Sequence, residues 1–259
     1  VKIGVFGCSR GKDYLKNLKY LENVEIAAIC EKKEQRLAET KEKFCPETTR
    51  TYTDFDEFLK EDLDGIVFAN YFHEHTPFAI KAMEKGIAVL SETTPASTLK
   101  ECVELVRAVE RTGAKYMFAE NYPFFAANQE MKRLYETGDL GRVLFAEGEY
   151  VHPMSKDELN LIGPGWHWRA WLPRTYYLTH ALGPLVYITG EMPKTVNALT
   201  APAPELFVGT ERKNKDAASI ILGQTESGAI FQFGGTAGYA PHGNWYRIAC
   251  TKGGAESVR

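Results

Sequence analysis

The chain has 259 residues, 44% of them apolar and 25% charged, and a formal net charge of -3. That length holds one large domain or two ordinary ones, and the mix is the usual globular one. Lys and Arg are not clustered and no apolar run is long enough to span a bilayer, which argues against nucleic acid and membrane as main partners. Cys8, Cys30, Cys45, Cys102 and Cys250 are odd in number, widely spaced and without a C-x-x-C pair. They read as reduced thiols, and no signal-like stretch precedes the first strand, so a cytoplasmic protein is expected.

Lys2 to Phe6 is a short apolar run, Gly7-Cys8-Ser9-Arg10-Gly11 follows at once, and Val24 to Cys30 is a second apolar run closed by Glu31. Strand, glycine turn, helix, strand and acidic residue is the order of the first unit of a dinucleotide-binding domain. Gly7 lets the chain turn out of the strand, and the helix N-terminus then faces a pyrophosphate. Ser9 and Lys12 stand at the second and third glycines of G-x-G-x-x-G. Gly7, Ser9, Arg10, Gly11 and Glu31 are the cofactor-binding candidates. An ordinary strand–turn–helix without ligand has the same outline. Asp13 after Gly11-Lys12 argues against a P-loop. Glu31 would accept from a ribose hydroxyl pair and repel a 2′-phosphate, so NAD is expected over NADP, although Lys32 and Lys33 follow it. Gly7→Val is expected to weaken cofactor binding with the fold kept.

Farther along, Gln35–Phe44 reads as a polar helix and Asp54 as the cap of a short one. Gly65–Ala69 reads as a buried strand. A helix from Thr76 to Lys85 ends at Gly86, and Ile87–Leu90 is the next strand. Ser97 or Thr98 caps a helix whose apolar residues Leu99, Cys102, Val103, Val106 and Val109 follow helical spacing, and a strand covers Ala114–Ala119. Alternation of strand and helix to about residue 120 predicts a doubly wound parallel sheet, a Rossmann domain over residues 1–120. Beyond it the pattern predicts an α+β domain over 121–259 with a mostly antiparallel open sheet. Its helices fall near Phe124–Glu136 and Tyr177–Ile188. Its strands fall at Val143–Val151, Thr195–Leu199, Ala217–Leu222, Ala229–Phe233 and Tyr246–Cys250, the last three able to pair antiparallel as neighbours.

His75, Ala79, Ala82 and Gly86 form H-x-x-x-A-x-x-A-x-x-x-G, and the next strand runs into Ser91-Glu92-Thr93-Thr94-Pro95. Here the chain resembles the Gfo/Idh/MocA family, the glucose–fructose oxidoreductase and inositol dehydrogenase group, in which that strand ends in Glu-Lys-Pro. The resemblance implies NAD(P), a sugar-like substrate at the cleft between two domains, and His75 and Glu92 near the cofactor. The family's lysine is absent, since Thr93 and Thr94 stand in its place and cannot supply positive charge to an alkoxide. Asn70, just past a strand C-terminus, is a further cofactor contact. His73 and His75 offer an H-x-H pair, but no third metal ligand follows from spacing. Glu120 and Asn121 fall where the last parallel strand opens; Asn121 reads either as a cofactor contact or as a helix cap.

Trp166-His167-Trp168-Arg169 precedes Tyr176-Tyr177-Leu178-Thr179-His180-Ala181-Leu182-Gly183-Pro184. This stretch resembles one branch, the NAD-dependent family 109 glycoside hydrolases, with its Tyr-x-Thr-His-x-Leu-Gly-Pro motif. That branch tends to lack the lysine and keeps a Glu-Asn pair at the crossing, as Glu120-Asn121 here. Tyr177 and His180, three apart on a predicted helix, share a face and are the catalytic candidates, since a histidine and a tyrosine can move protons near neutral pH. Trp166, Trp168 and Arg169 are the substrate candidates. A core histidine in a tryptophan-filled seam is the alternative. An active-site His180 has few packing duties, so His180→Ala is expected to cost turnover and little stability.

Three functions follow. The first is an NAD-dependent oxidoreductase of a sugar or cyclic polyol. The second is a glycosidase that retains NAD and works by oxidation, elimination, hydration and return of the hydride. The third is an inactive NAD- and sugar-binding sensor. The resemblance also implies a homo-oligomer, dimer or tetramer, built on an open sheet face, and further sequence beyond Arg259.

Overall fold

A computed structural model describes residues 1–153, 168–210, 212–237 and 241–258, apart from the Arg169 side chain. The chain forms two compact units, Val1–Ala119 and Glu120–Arg259.

In the first unit β1 (Lys2–Phe6), β2 (Glu25–Cys30), β3 (Arg50–Tyr52), β4 (Gly65–Phe68), β5 (Ala88–Ser91) and β6 (Tyr116–Phe118) pair in the order β3-β2-β1-β4-β5-β6. Every pairing is parallel. The order reverses between β1 and β4, the switch point at whose carboxyl ends such sheets bind ligands. The linking helices are α1 (Cys8–Leu18), α2 (Glu34–Phe44), the single turn α3 (Phe55–Phe58), α4 (His75–Glu84) and α5 (Leu99–Thr112). Val5, Leu15, Ile29 and Val67 fill one core, and Phe6, Phe58, Phe68, Ala82 and Met83 fill another. Asp54 caps α3 by accepting from Glu57 N–H. Thr98, not Ser97, caps α5 in a reciprocal box with Glu101.

The apolar stripe read on α5 is not its buried face. Leu105 and Ala108 are buried, while Leu99, Val103 and Val106 are exposed, Leu99 to 86%. The apolar arc of the helix is wider than the face that packs, and Leu105 and Ala108 are the residues that enter the core.

In the second unit α6 (Ala126–Glu136) and α7 (Thr179–Thr189) lie with a sheet of order β12-β11-β7-β10-β9-β8. These strands are β7 (Val143–Val151), β8 (Pro193–Pro202), β9 (Asp216–Thr225), β10 (Ile230–Thr236), β11 (Gly243–Cys250) and β12 (Gly254–Glu256). Four of its five pairings are antiparallel, and β10 with β7 is parallel. The last three long strands do not form one meander: β9 and β10 pair, but β7 lies between β10 and β11. Adjacency in sequence suggests a hairpin there, and the longer-range pairing of β7 replaces it. Among the described residues no helix is long and apolar enough to cross a membrane.

Candidate active site

Within the first unit the glycine turn has the form the sequence foretold. Gly7 takes φ +91°, a left-handed conformation disfavoured for other residues, and α1 begins at Cys8. A Cβ on Gly7 would lie 2.5 Å from Asn70 Cα and 2.6 Å from the Ala69 carbonyl carbon. Gly7→Val therefore strains the β1–β4 contact itself, and the expectation that the fold is kept is corrected. The close helix–strand packing that a third glycine provides falls to Gly11, whose Cβ would sit 2.7 Å from Val5 Cγ1.

Glu31 stands at the end of β2, buried, with Oε2 accepting from Cys8 N–H at 3.0 Å and Oε1 from Lys33 N–H at 3.0 Å. Arg36 Nη1 lies 3.7 Å from it. Burial and the Glu31 charge push the Cys8 thiol up to about 12, so it is inert. Arg10 is not a free cation for phosphate: its Nε donates to Glu92 Oε1 at 2.7 Å and its Nη1 to Asp13 at 3.1 Å. Tyr14 O–H also donates to Glu92, at 2.9 Å. Ser9 lies exposed in the first turn of α1.

Asn70 carries the clearest sign of a ligand. Its side-chain amide is buried, and neither Oδ1 nor Nδ2 has a partner among the described residues. It sits against Gly7 at the switch point, and a buried amide without partners costs free energy that a bound molecule can recover. His75 is only 1% exposed; Nδ1 lies 2.9 Å from Thr94 O and Nε2 3.2 Å from Asn70 O. Burial, opposed by these two carbonyls, holds its pKa below the usual 6.5. Its ring lies between the Asn70 and Thr94 carbonyls, and the neutral imidazole donates its single N–H to one of them. No cluster of three or more metal-ligating side chains is present among the described residues, and His73 and His75 do not form one.

In the second unit His180 is 6% exposed and Glu120 7%. His180 Nδ1 lies 2.8 Å from Glu120 Oε1, which also accepts from Tyr122 N–H at 3.1 Å. Asn121 makes no side-chain cap; the Glu120 carboxylate holds the Tyr122–Phe124 turn instead. The Tyr122 ring stacks on His180 at 4.3 Å and 28°, and Tyr150 meets it edge-on at 4.7 Å. Tyr177 lies on a short 3-10 turn (Arg174–Tyr177), so the shared helix face expected for Tyr177 and His180 does not exist. Their rings are still 5.4 Å apart, and the Trp168 ring is 5.4 Å from that of Tyr177. Trp166 lies outside the described residues, as does the Arg169 side chain.

Gly183 and Pro184 explain the rest of the motif. A Cβ on Gly183 would fall 2.5 Å from Glu120 Cγ, so only glycine admits that carboxylate. Pro184 lacks the N–H that would bond His180 C=O four residues back. Tyr246 O–H fills the vacancy, donating to that carbonyl at 2.6 Å. The Glu120–His180 contact spans 60 residues, which no local pattern reveals; Gly183 and Pro184 were its only local traces.

Residues 1–120 match the model described as "Oxidoreductase family, NAD-binding Rossmann fold", and 128–256 match the GFO/IDH/MocA C-terminal domain. A glycosyl hydrolase family 109 protein of Shewanella pealeana is 28% identical over 199 residues, covering 71% of this chain and 43% of the relative. An alpha-N-acetylgalactosaminidase of Shewanella oneidensis is 28% identical over 198 residues, with the same two coverages. The chain thus spans less than half the length of these relatives. Among solved structures, scyllo-inositol dehydrogenase from Lactobacillus casei with bound NAD(H) and scyllo-inositol has a TM-score of 0.82 at 17% identity, covering 100% of this chain and 76% of that one. GenD2 from gentamicin A biosynthesis, in complex with NAD, has a TM-score of 0.82 at 18% identity, covering 99% and 72%. At these identities the likeness is one of fold.

Proposed function

The chain belongs to the Gfo/Idh/MocA oxidoreductase family, and we propose that it is an NAD-dependent oxidoreductase of a sugar or cyclic polyol. The observation that carries this reading is the buried His180–Glu120 pair in the second unit of a chain whose first unit is the family's NAD-binding domain. Gly7 and the orphaned Asn70 amide fit a dinucleotide at the switch point, with Glu31 on the ribose side; His75, Glu92 and Asn121 are the further cofactor contacts of this reading. When bound, NAD supplies a hydride acceptor or donor. His180 takes or returns the hydroxyl proton, Tyr177 supports it, and Trp168 offers a flat face to a ring, with Trp166 and Arg169 as further substrate contacts. NAD is favoured over NADP because a 2′-phosphate would meet the buried Glu31 carboxylate; tighter binding of NADP in a titration would remove that claim.

A second reading is a glycosidase with retained NAD, favoured by the family 109 relatives and by Thr93-Thr94 where the dehydrogenases carry lysine. Mass spectrometry of the purified protein for bound NAD, with turnover of external NAD on inositols and aldoses and release from an α-N-acetylgalactosaminide, separates the two. Reduction of external NAD supports the oxidoreductase; glycoside cleavage without it supports the glycosidase. Failure on both panels sinks both and favours a sensor.

The five cysteines, none paired, fit a cytoplasmic protein. A homo-oligomer would use the outer face of the second sheet, where Leu199, Ile220, Leu222 and Ile230 are exposed.

A further inference from the structure

We infer that Glu120 is the positioning residue of the proton-transfer step: it fixes the tautomer, ring plane and charge of His180 and leaves Nε2 as the atom that exchanges the proton. The inference rests on the proposed role of His180. An ionised carboxylate only accepts hydrogen bonds. With Glu120 Oε1 2.8 Å from Nδ1, the imidazole proton sits on Nδ1 and the lone pair on Nε2. Nε2 makes no hydrogen bond among the described residues, so it is the nitrogen available to a hydroxyl. When Nε2 takes the proton, the imidazolium donates from Nδ1 to a carboxylate already in place. When it gives the proton back, the starting tautomer returns and no other group changes charge.

Several parts of the unit converge on this one carboxylate. Its Oε1 also takes Tyr122 N–H, which sets the ring stacked on His180. Gly183 leaves room for its side chain, and Tyr246 holds the His180 carbonyl that Pro184 frees. Oε2 is buried and has no partner among the described residues, so the carboxylate is not satisfied by packing alone. Among the described residues, the titratable groups facing His180 are Glu120 and Tyr122 from the chain before α6, Tyr150 from β7, Tyr177 from the 3-10 turn and Tyr246 from β11. Burial, with Glu120 and Tyr122 beside it, pushes the Tyr246 phenol far above its ordinary range, so it stands as a donor to the His180 carbonyl.

The test is Glu120→Gln in the full chain, read two ways. The first is the nitrogen-15 NMR spectrum of the His180 ring, assigned by comparison with His180→Gln. The second is kcat and KM on the substrate found above, across pH. Wild type should show the Nδ1–H tautomer. In Glu120→Gln the amide NH2 can donate to Nδ1 and favour Nε2–H. The variant should bind NAD unchanged and keep KM within a few-fold. It should lose kcat on the order of 10²-fold or more, with the acidic limb of its pH profile for NAD reduction moved toward lower pH. Glu120→Asp should recover part of the loss. An Nε2–H tautomer in wild type overturns the inference even if the variant does not fold. So does a folded Glu120→Gln protein with wild-type kcat. If neither wild type nor any variant turns over while the tautomer responds to Glu120→Gln, the positioning stands and the enzymatic reading fails.

Discussion

His180 is packed as tightly as it is bonded. Tyr122 stacks on one face, Tyr150 and Tyr177 meet it edge-on, and Glu120 is buried with it. His180→Ala should therefore lose stability as well as turnover, which corrects the expectation of few packing duties. Removing the imidazole leaves a buried carboxylate without its partner, a loss of about 3 kcal/mol or more. Turnover should fall on the order of 10²- to 10⁴-fold. His180→Gln can still donate to Glu120, so it should recover much of the melting temperature and none of the turnover. Melts and kinetics on both variants check this, and a folded His180→Gln protein with full turnover would refute the role given to the histidine. His75 makes a different prediction. Its folded pKa lies below the unfolded 6.5, so the unfolded chain binds the proton first. Its contribution is full above about pH 6.5 and is lost as pH falls toward the folded pKa, by up to ~1.4 kcal/mol per pH unit for one proton. Urea denaturation from about pH 7 to about pH 5 should show this decline, and His75→Gln should flatten it; His73, also shifted down by burial, supplies a remaining slope.

The β1–α1 turn shows what an element adds to its residues. Gly7 was legible as a turn residue, because strand, glycine and helix occur within a few positions. Its second duty, admitting the β4 backbone, was not, because Asn70 is far away in sequence. Gly7→Val should thus lower the melting temperature of the first unit as well as NAD affinity. A variant with an unchanged melt and only weakened NAD binding would show that the turn serves the ligand alone. Most of the alternation of strands and helices in the first unit was legible for the same local reason, since β1, β2, β4 and β5 are short apolar runs each followed by its own helix; β3, polar and largely exposed, was not. The second sheet was less so. Its strands could be located as runs joined by short glycine-bearing or polar turns, yet the place of β7 between β10 and β11 depends on pairings between distant segments. Apolar spacing on α5 likewise gave a helix without saying which side packs.

At the scale of the molecule, the outer face of the second sheet is an apolar surface that a single chain leaves exposed. Leu199 pairs with Ile220 across β8 and β9, Leu222 follows two residues on, and Ile230 opposite Gln224 shares their face. Side chains of alternate residues share one side of a sheet, so these four exposed aliphatics form one surface rather than scattered single residues. At about 25 cal/mol per Å², covering such a surface with a second copy would offset part of the cost of association. A twofold pairing would use the same patch on both chains, so one substitution is felt twice. Leu222→Lys places two like charges in that interface while leaving the inward residues of β9 untouched. The variant should melt close to wild type and run as a smaller species in sedimentation velocity. It should also dilute to monomer at concentrations where wild type remains associated. A wild type that sediments as a monomer at all concentrations would refute the assembly, and a Leu222→Lys protein that stays associated would move it to another surface.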